Sequence, residues 1–287
     1  MSLATIGLAA LILGAVGLAF AGLIGLVHRR FAVWEDPRIE GAVSLLPGNN
    51  CGACGLPGCR GFAEAVVGGT VKPAQCTVLS ADGVDELAAY LGVDAGEANK
   101  RVARLACGGG SDMAVMRAQY VGLQTCKAAA AVAGGGKGCP WACLGLADCE
   151  RACTFDAIFM NPVGLPVVVP EKCTACNDCV VACPRDLFSL QPLDQKLIVQ
   201  CRSLLAGEQA EALCRVACNA CGRCVADAAP GLISIVDNLA VVDYAKNKLA
   251  TAAATARCPT DSIVWVEGQQ FDPARTTPAG RLGVPAE

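Results

Sequence analysis

The chain has 287 residues, of which 54% are hydrophobic but only 5% aromatic, and its formal net charge is −3. This length allows two or three small domains, and the absence of a basic run with interleaved aromatic residues excludes a typical nucleic-acid-binding protein. The unusual feature is the cysteine content, 20 residues. Most cysteines stand two or three residues apart, too close to pair with each other as in the disulfide scaffold of a small secreted domain. Their spacing therefore favours metal ligation.

The first segment of the chain is long and apolar. Residues 3–27 contain no charged side chain, and about 20 such residues in a helix cross the hydrocarbon core of a bilayer. A cleaved signal peptide is the alternative, but it would begin with a basic region, which residues 1–4 lack. We therefore predict a retained transmembrane anchor over residues 1–30.

The residues after this anchor predict its orientation. His28, Arg29 and Arg30 follow the apolar run at once, and positive charge stays on the cytoplasmic side of a membrane. The expectation is a single-pass protein of the bacterial inner (plasma) membrane with its C-terminal domains in the cytoplasm. That compartment is reducing, which is a second argument against disulfides.

The first cysteine group lies in a domain predicted for residues 31–95. Its sequence, CGACGLPGC with a fourth cysteine downstream, is rich in glycine, which lets the backbone turn tightly while four thiolates converge on a cuboid cluster. Zinc also accepts four thiolates, but the glycine-rich loop and the other groups favour iron–sulfur. The ligands predicted for cluster 1 are Cys51, Cys54, Cys59 and Cys76.

The most specific pattern lies in a two-cluster ferredoxin module predicted for residues 96–200. The sequence CTACNDCVVACP is the bacterial ferredoxin run, in which the fourth cysteine ligates the other cluster of a pair. A second quartet with stretched spacing precedes it, and the intervening AIFMNPVGLPVVVP reads as two short strands around a turn. Exchange of the fourth ligands gives cluster 2 as Cys139, Cys143, Cys149 and Cys183, and cluster 3 as Cys153, Cys173, Cys176 and Cys179.

The next module, predicted for residues 201–267, resembles the same run with half of its ligands lost. Ala228 stands where the fourth cysteine is expected, and counting back from Cys258 gives Ala254, Thr251 and Lys248 at the other expected positions. All the missing cysteines belong to one cluster under the exchange rule. The remaining set predicts cluster 4, with the ligands Cys218, Cys221, Cys224 and Cys258.

Four cysteines remain on either side of the central module. They complete a fifth quartet and predict cluster 5, with the ligands Cys107, Cys126, Cys201 and Cys214. The alternative is that these are four buried structural thiols, since free cysteine often lies in protein cores. The sequence thus predicts four [4Fe–4S] clusters and allows a fifth.

No catalytic, nucleotide or flavin site is evident in the sequence. The glycine-rich segments 108–110 and 134–138 match neither GxGxxG nor the phosphate loop, since Gly138 follows Lys137 where Ser or Thr is required. We interpret both segments as turns near the clusters. Residues 268–287 are rich in Pro, Gly and Thr and are expected to form a flexible tail.

Together these features resemble the B subunit of the Rnf complexes, the ion-translocating ferredoxin:NAD oxidoreductases, in its long form with extra ferredoxin repeats. The resemblance covers about residues 1–265 and rests on the anchor, NNCGACGLPGC, KGCPWACLGLADCERACTFDAI and EKCTACNDCVVACP. It implies an α+β fold, the Rnf-like A, C, D, E and G subunits as partners, and docking of soluble ferredoxin. The depleted C-terminal module departs from the family pattern, so the full cluster number of long-form relatives is not carried over.

Two functions of different classes follow. The first is an electron-transfer subunit of a membrane-bound, redox-driven ion-translocating complex, without an independent catalytic site. The second is a membrane-tethered, ferredoxin-like electron donor to a different reductase or activase. A structural or sensory cluster protein without a through-path is a third possibility, and co-purifying partners distinguish the three.

Overall fold

The computed structural model describes residues 3–31, 35–97 and 100–276. The helices, which are mostly short, are α1 (Leu3–Phe31), α2 (Pro37–Leu45), α3 (Gly58–Val67), α4 (Ala81–Leu91), α5 (Cys126–Ala131), α6 (Asp148–Arg151), α7 (Asp178–Ala182), α8 (Gly207–Glu211) and α9 (Arg223–Asp227). The strands are β1 (Arg101–Leu105), β2 (Ile158–Met160), β3 (Pro166–Val168), β4 (Phe188–Pro192), β5 (Leu197–Val199), β6 (Ile233–Val236), β7 (Leu239–Val242) and β8 (Ile263–Trp265). The predicted α+β class is confirmed.

Helix α1 stands apart from the rest of the chain. Within it, the segment Ala10–Phe31 is long and apolar enough to cross a membrane, with a mean hydropathy of 2.5 and no burial inside the protein. Its last turn carries the basic residues His28, Arg29 and Arg30. An apolar helix with exposed side chains needs a non-aqueous environment, as a bilayer provides.

Three helices form the domain after α1. Helix α2 begins with Asp36, whose side chain accepts a hydrogen bond from the Arg38 N–H, and with a proline in its first turn. Helix α4 begins at the cap Ser80 and ends at Gly92, which adopts the left-handed conformation. The helices enclose a small core built from Ala42, Leu46, Phe62, Ala63, Val66 and Leu87.

The central module contains four short strands in two antiparallel pairs. Strands β1 and β4 pair antiparallel, with Arg101 opposite Pro192, and β2 and β3 form the hairpin predicted from the sequence. Helices α6 and α7 follow the cysteine loops. The core includes Leu105, Leu165 and Leu187, all at most 1% exposed.

The C-terminal module repeats this order. Strand β5 pairs antiparallel with β8, β6 and β7 form a hairpin, and α9 precedes that hairpin as α6 precedes β2. Strand β5 thus lies within the range 96–200 predicted for the central module but pairs with a strand of the following module.

The expected flexible tail requires a correction. Residues 268–276 fold back onto the central module as a C-terminal strap. Phe271 is only 6% exposed in the central core, and Gln270 exchanges two hydrogen bonds with the backbone of Leu105, at 2.9 and 2.7 Å. Arg275 pairs with the buried Asp112 at 2.7 Å. Burial of an aromatic ring and a paired charge holds this strap in place; the rest of the expected tail, 277–287, lies outside the described residues.

Candidate iron–sulfur sites

The cysteines of the first group surround one cavity, which we call the N-terminal cavity. It has a volume of about 330 Å³ and is lined by the thiols predicted for cluster 1, Cys51, Cys54, Cys59 and Cys76. Asn50 holds the loop in shape, because its side-chain oxygen accepts the Cys59 N–H at 2.9 Å. A Cβ atom on Gly58 would come within 2.8 Å of that oxygen, so a glycine is required there. The cysteine spacing gives no signal for this role of Asn50.

A second cavity, the central cavity, lies between α7 and the β2–β3 hairpin. Its volume is about 310 Å³, and it is lined by the four thiols predicted for cluster 3, Cys153, Cys173, Cys176 and Cys179. The Ala157 N–H donates a hydrogen bond to the Cys153 sulfur at 3.4 Å. The fourth-ligand exchange of the ferredoxin pattern thus brings distant parts of the chain to one cavity.

The C-terminal cavity repeats this arrangement in the depleted module. It has a volume of about 280 Å³ and is lined by Cys218, Cys221, Cys224 and Cys258, the set predicted for cluster 4. The Cys258 sulfur lies 3.5 Å from the Ser262 hydroxyl. Ala228 and Ala254, which stand at two of the positions where the ferredoxin pattern expects cysteine, pack into the hydrophobic core of the module.

The remaining eight cysteines are grouped differently from the prediction. The junction cavity, of about 380 Å³ between the central and C-terminal modules, is lined by Cys107, Cys139, Cys201 and Cys214. Cys139 was expected in cluster 2 and Cys126 in cluster 5, but Cys139 lines this cavity, whereas Cys126 lies beside Cys149 and Cys183. The spacing along the chain could not reveal this, because long loops separate the members of both groups.

We call the other four cysteines the inner group: Cys126, Cys143, Cys149 and Cys183. Cys149 is close enough to both Cys126 and Cys183 for their charges to raise its pKa. Cys143 lies near both Cys149 and Cys107, and its N–H donates a hydrogen bond to the Cys107 sulfur at 3.4 Å. The inner group therefore adjoins the junction cavity.

The thiols around each cavity are separated from one another by the space of the cavity. No three His, Cys, Asp or Glu side chains within residues 3–31, 35–97 and 100–276 lie close enough together to bind a single metal ion. Zinc would require four sulfurs within about 2.3 Å of one centre. Four spaced thiols around an apolar cavity, with N–H groups directed at the sulfurs, fit the larger [4Fe–4S] cuboid better.

Burial controls the protonation of these thiols. It is the main factor that raises the pKa of Cys149 and Cys214 to about 12, and that of Cys201 and Cys224 to about 11. Cys258 differs: burial raises its pKa, but hydrogen bonds from the Ser262 hydroxyl and neighbouring N–H groups lower it below the usual value. The four thiols with a raised pKa named above therefore need a compensating positive charge, such as iron, to ionise at neutral pH.

The glycine-rich segments lie where turns near the clusters were expected. Gly134, Gly135 and Gly136 adopt positive φ angles, and the backbone of Gly109 lies against the thiols of the junction cavity. Of the two segments, 108–110 therefore places backbone close to cysteine sulfurs.

Two family models match the chain. A model for an Fe-S cluster matches residues 46–78, which contain the N-terminal cavity. A model for a 4Fe-4S binding domain matches residues 166–188, which contain the ferredoxin run. An apolar helix followed by groups of four cysteine thiols around cavities defines a membrane-associated iron–sulfur protein of the ferredoxin type.

Three similar proteins extend over nearly the whole chain. The B subunit of the Na(+)-translocating ferredoxin:NAD(+) oxidoreductase complex of Acetobacterium woodii is 40% identical over 88% of this chain and 75% of its own length. The B subunit of the ion-translocating oxidoreductase complex of Methanosarcina acetivorans is 34% identical over 88% and 95%. The B subunit of the proton-translocating ferredoxin:NAD(+) oxidoreductase complex of Clostridium ljungdahlii is 34% identical over 86% and 88%. The chain belongs to this family of B subunits, the Rnf family, and is an iron–sulfur electron-transfer subunit of an oxidoreductase complex.

Proposed function

We propose that this chain carries electrons between soluble ferredoxin in the cytoplasm and the membrane part of a redox-driven ion-translocating complex. The observation that carries the proposal is that four separate cavities, which follow one apolar helix along the chain, each gather four cysteine thiols. A [4Fe–4S] cluster accepts and donates one electron at a time. A series of such sites suits transport over a distance, because electron tunnelling falls steeply as the gap widens.

The residues around each cavity would have three separate roles in holding a cluster. Their thiolates bind iron, backbone N–H groups stabilise the sulfurs, and apolar walls limit the access of water. The sequence and the cavities support the same ligands for three clusters. They are Cys51, Cys54, Cys59 and Cys76 for cluster 1; Cys153, Cys173, Cys176 and Cys179 for cluster 3; and Cys218, Cys221, Cys224 and Cys258 for cluster 4.

The partners and the orientation are part of the proposal. Family membership supports assembly with the Rnf-like A, C, D, E and G subunits. The basic last turn of α1, with Arg29 and Arg30, supports a cytoplasmic position for all domains after residue 30. Soluble ferredoxin would then reach the cysteine modules from the cytoplasm.

Purification of the intact complex tests this function. The chain, tagged after Glu287, is extracted from its native membrane with a mild detergent. We expect flavin-containing membrane subunits to co-purify, and reduced ferredoxin to reduce the iron–sulfur sites in inside-out vesicles but not in right-side-out ones. Recovery of a single soluble catalytic partner would instead support the tethered-donor function, and reduction only in right-side-out vesicles would reverse the orientation.

A further inference from the structure

A backbone hydrogen bond joins the neighbours of two junction-cavity cysteines that belong to different modules. The Gly108 N–H donates to the Gln200 carbonyl oxygen at 2.8 Å. These two residues are the immediate neighbours of Cys107 and Cys201. The chain before α5 is therefore fixed to the chain after β5. The Cys107 and Cys201 thiols line the same cavity as a result, although almost a hundred residues separate them.

A short extended segment around Val115 holds the other two cysteines of the junction cavity. The Val115 N–H donates to the Leu213 carbonyl oxygen at 2.9 Å, and the Val115 carbonyl oxygen accepts the Gly138 N–H at 2.9 Å. Leu213 precedes Cys214, and Gly138 precedes Cys139. One residue in an otherwise irregular loop thus fixes the backbone beside both cysteines.

The wall of the junction cavity is shaped for a group that contacts its sulfurs. A Cβ atom on Gly109 would lie 2.9 Å from the Cys214 sulfur and 3.8 Å from the Cys107 sulfur, so a larger side chain would displace a thiol. The Lys137 ammonium group donates a hydrogen bond to the Gly109 carbonyl oxygen at 2.8 Å. This half-buried positive charge would partly balance a [4Fe–4S] cluster with four thiolates, which carries a net negative charge.

Cys126 is held in a different place. The N–H of its neighbour Lys127 donates to the Asp148 carboxylate at 3.0 Å, and the backbone of Asp148 and Leu146 lies close enough to the Cys126 sulfur to offset part of the rise in pKa that burial causes. Asp148 directly precedes Cys149. The start of α5 is therefore attached to α6, and Cys126 belongs beside Cys149 in the inner group.

These contacts assign the eight cysteines to two complete quartets, and the assignment rests on the function proposed above. We propose that the junction cavity binds a fifth [4Fe–4S] cluster and that Cys126 replaces Cys139 in cluster 2. The ligands of cluster 5 are then Cys107, Cys139, Cys201 and Cys214, and those of cluster 2 are Cys126, Cys143, Cys149 and Cys183.

A matched pair of variants tests this exchange in the full-length, anaerobically purified protein. The wild-type chain should contain about 20 irons and as many acid-labile sulfides, four per cluster. Cys139→Ser and Cys126→Ser should each lose or convert one EPR signal of the reduced protein, but not the same one. The signal affected by Cys139→Ser should be the one affected by Cys214→Ser, and the signal affected by Cys126→Ser should be the one affected by Cys149→Ser.

The double variants make the test quantitative. Cys139→Ser combined with Cys214→Ser should affect no further signal, whereas Cys139→Ser combined with Cys126→Ser should affect two. The proposal is overturned if Cys126→Ser matches Cys214→Ser, which is the grouping expected from the sequence, or if the wild type holds only about 16 irons. Zinc without labile sulfide would instead contradict the proposed function itself.

A variant that keeps every cysteine distinguishes the loss of one cluster from misfolding of the whole protein. Gly109→Ala places a methyl group against the Cys214 sulfur and should weaken only the signal of the junction cavity. Retention of the other four signals shows that the protein has folded. An unchanged spectrum of Gly109→Ala would contradict a cluster in this cavity.

Discussion

Arg104 is a charged residue in an unusual environment. On strand β1 it is only 1% exposed, and within the described chain its guanidinium group makes one hydrogen bond, from Nη1 to the Gly268 carbonyl oxygen at 2.9 Å. Burial lowers its pKa, and the nearby side chains of Cys173 and Tyr244 partly offset this effect when ionised. A buried guanidinium group without a carboxylate partner is costly, so we infer that the negative charge of cluster 3 compensates it.

This inference predicts a change in reduction potential. In Arg104→Met, the loss of a positive charge beside Cys173 makes the more negative, reduced form of cluster 3 less stable. Its potential should fall by about 60 mV, which corresponds to roughly tenfold in a one-electron equilibrium. EPR-monitored redox titration of the intact protein measures the shift.

Arg101 provides the matched control for Arg104. It lies on the same strand but is exposed, so solvent screens its charge and Arg101→Met should shift the potential much less. Equal shifts in the two variants would show that Arg104 has no special effect on cluster 3.

At the scale of elements, the C-terminal strap has a composition typical of a flexible tail but packs against the central core. Residues 268–276 are rich in polar and turn-forming residues, and their local pattern indicates no element. Their position is determined by single anchors: the ring of Phe271 in the central core and the pair between Arg275 and Asp112. Such tertiary contacts leave no periodic signal in the sequence.

The strap predicts a measurable contribution to stability. Phe271→Ala removes a buried ring from the central core and should lower the free energy of unfolding by about 3 kcal/mol. Chemical denaturation of the protein, followed by loss of visible iron–sulfur absorbance, measures the change. If Phe271→Ala is as stable as the wild-type chain, the strap contributes nothing to stability.

The difference between local sequence patterns and tertiary contacts also explains which sites could be predicted. The central and C-terminal cavities follow a spacing rule in which three ligands share one loop, so Cys173, Cys176 and Cys179 identify their site in the sequence. The junction cavity takes single cysteines from separate loops, and nothing local distinguishes Cys139 from Cys126. Only the pairing of the Val115 segment with the chains around residues 138 and 213 separates them. The β2–β3 hairpin was predictable because its two strands and turn are adjacent in the chain, whereas the pairing of β5 with the distant β8 leaves no local signal.

On the scale of the whole molecule, the cysteine groups follow one another in a line. A cleft of about 1230 Å³ has Cys76 of the N-terminal cavity and Cys173 of the central cavity on its walls. Cys179 of the central cavity lies near Cys149 of the inner group.

The inner group leads to the junction cavity and from there to the C-terminal cavity. The Cys143 N–H contacts the Cys107 sulfur at 3.4 Å, which joins the inner group to the junction cavity. The backbone of Cys218 lies close enough to the Cys201 sulfur to offset part of the rise in pKa that burial causes in this thiol, which places the C-terminal cavity next to the junction cavity. Within the described residues, the junction cavity therefore adjoins both the inner group and the C-terminal cavity.

This order predicts that loss of the junction site divides the electron path. The variant Cys139→Ser removes a ligand of that site but leaves Cys201 and its contact with Cys218 in place. After rapid mixing with reduced ferredoxin and freezing, the wild type should show all its EPR signals rising together. In Cys139→Ser, the signal of the C-terminal site should rise at a clearly different rate from the signals of the N-terminal and central sites, because an electron must cross the gap without an intermediate site. Cys258→Ser, which alters only the end of the line, should leave the other rates unchanged. If all remaining signals of Cys139→Ser rise together as in the wild type, electrons reach the C-terminal site by a route that avoids the junction cavity.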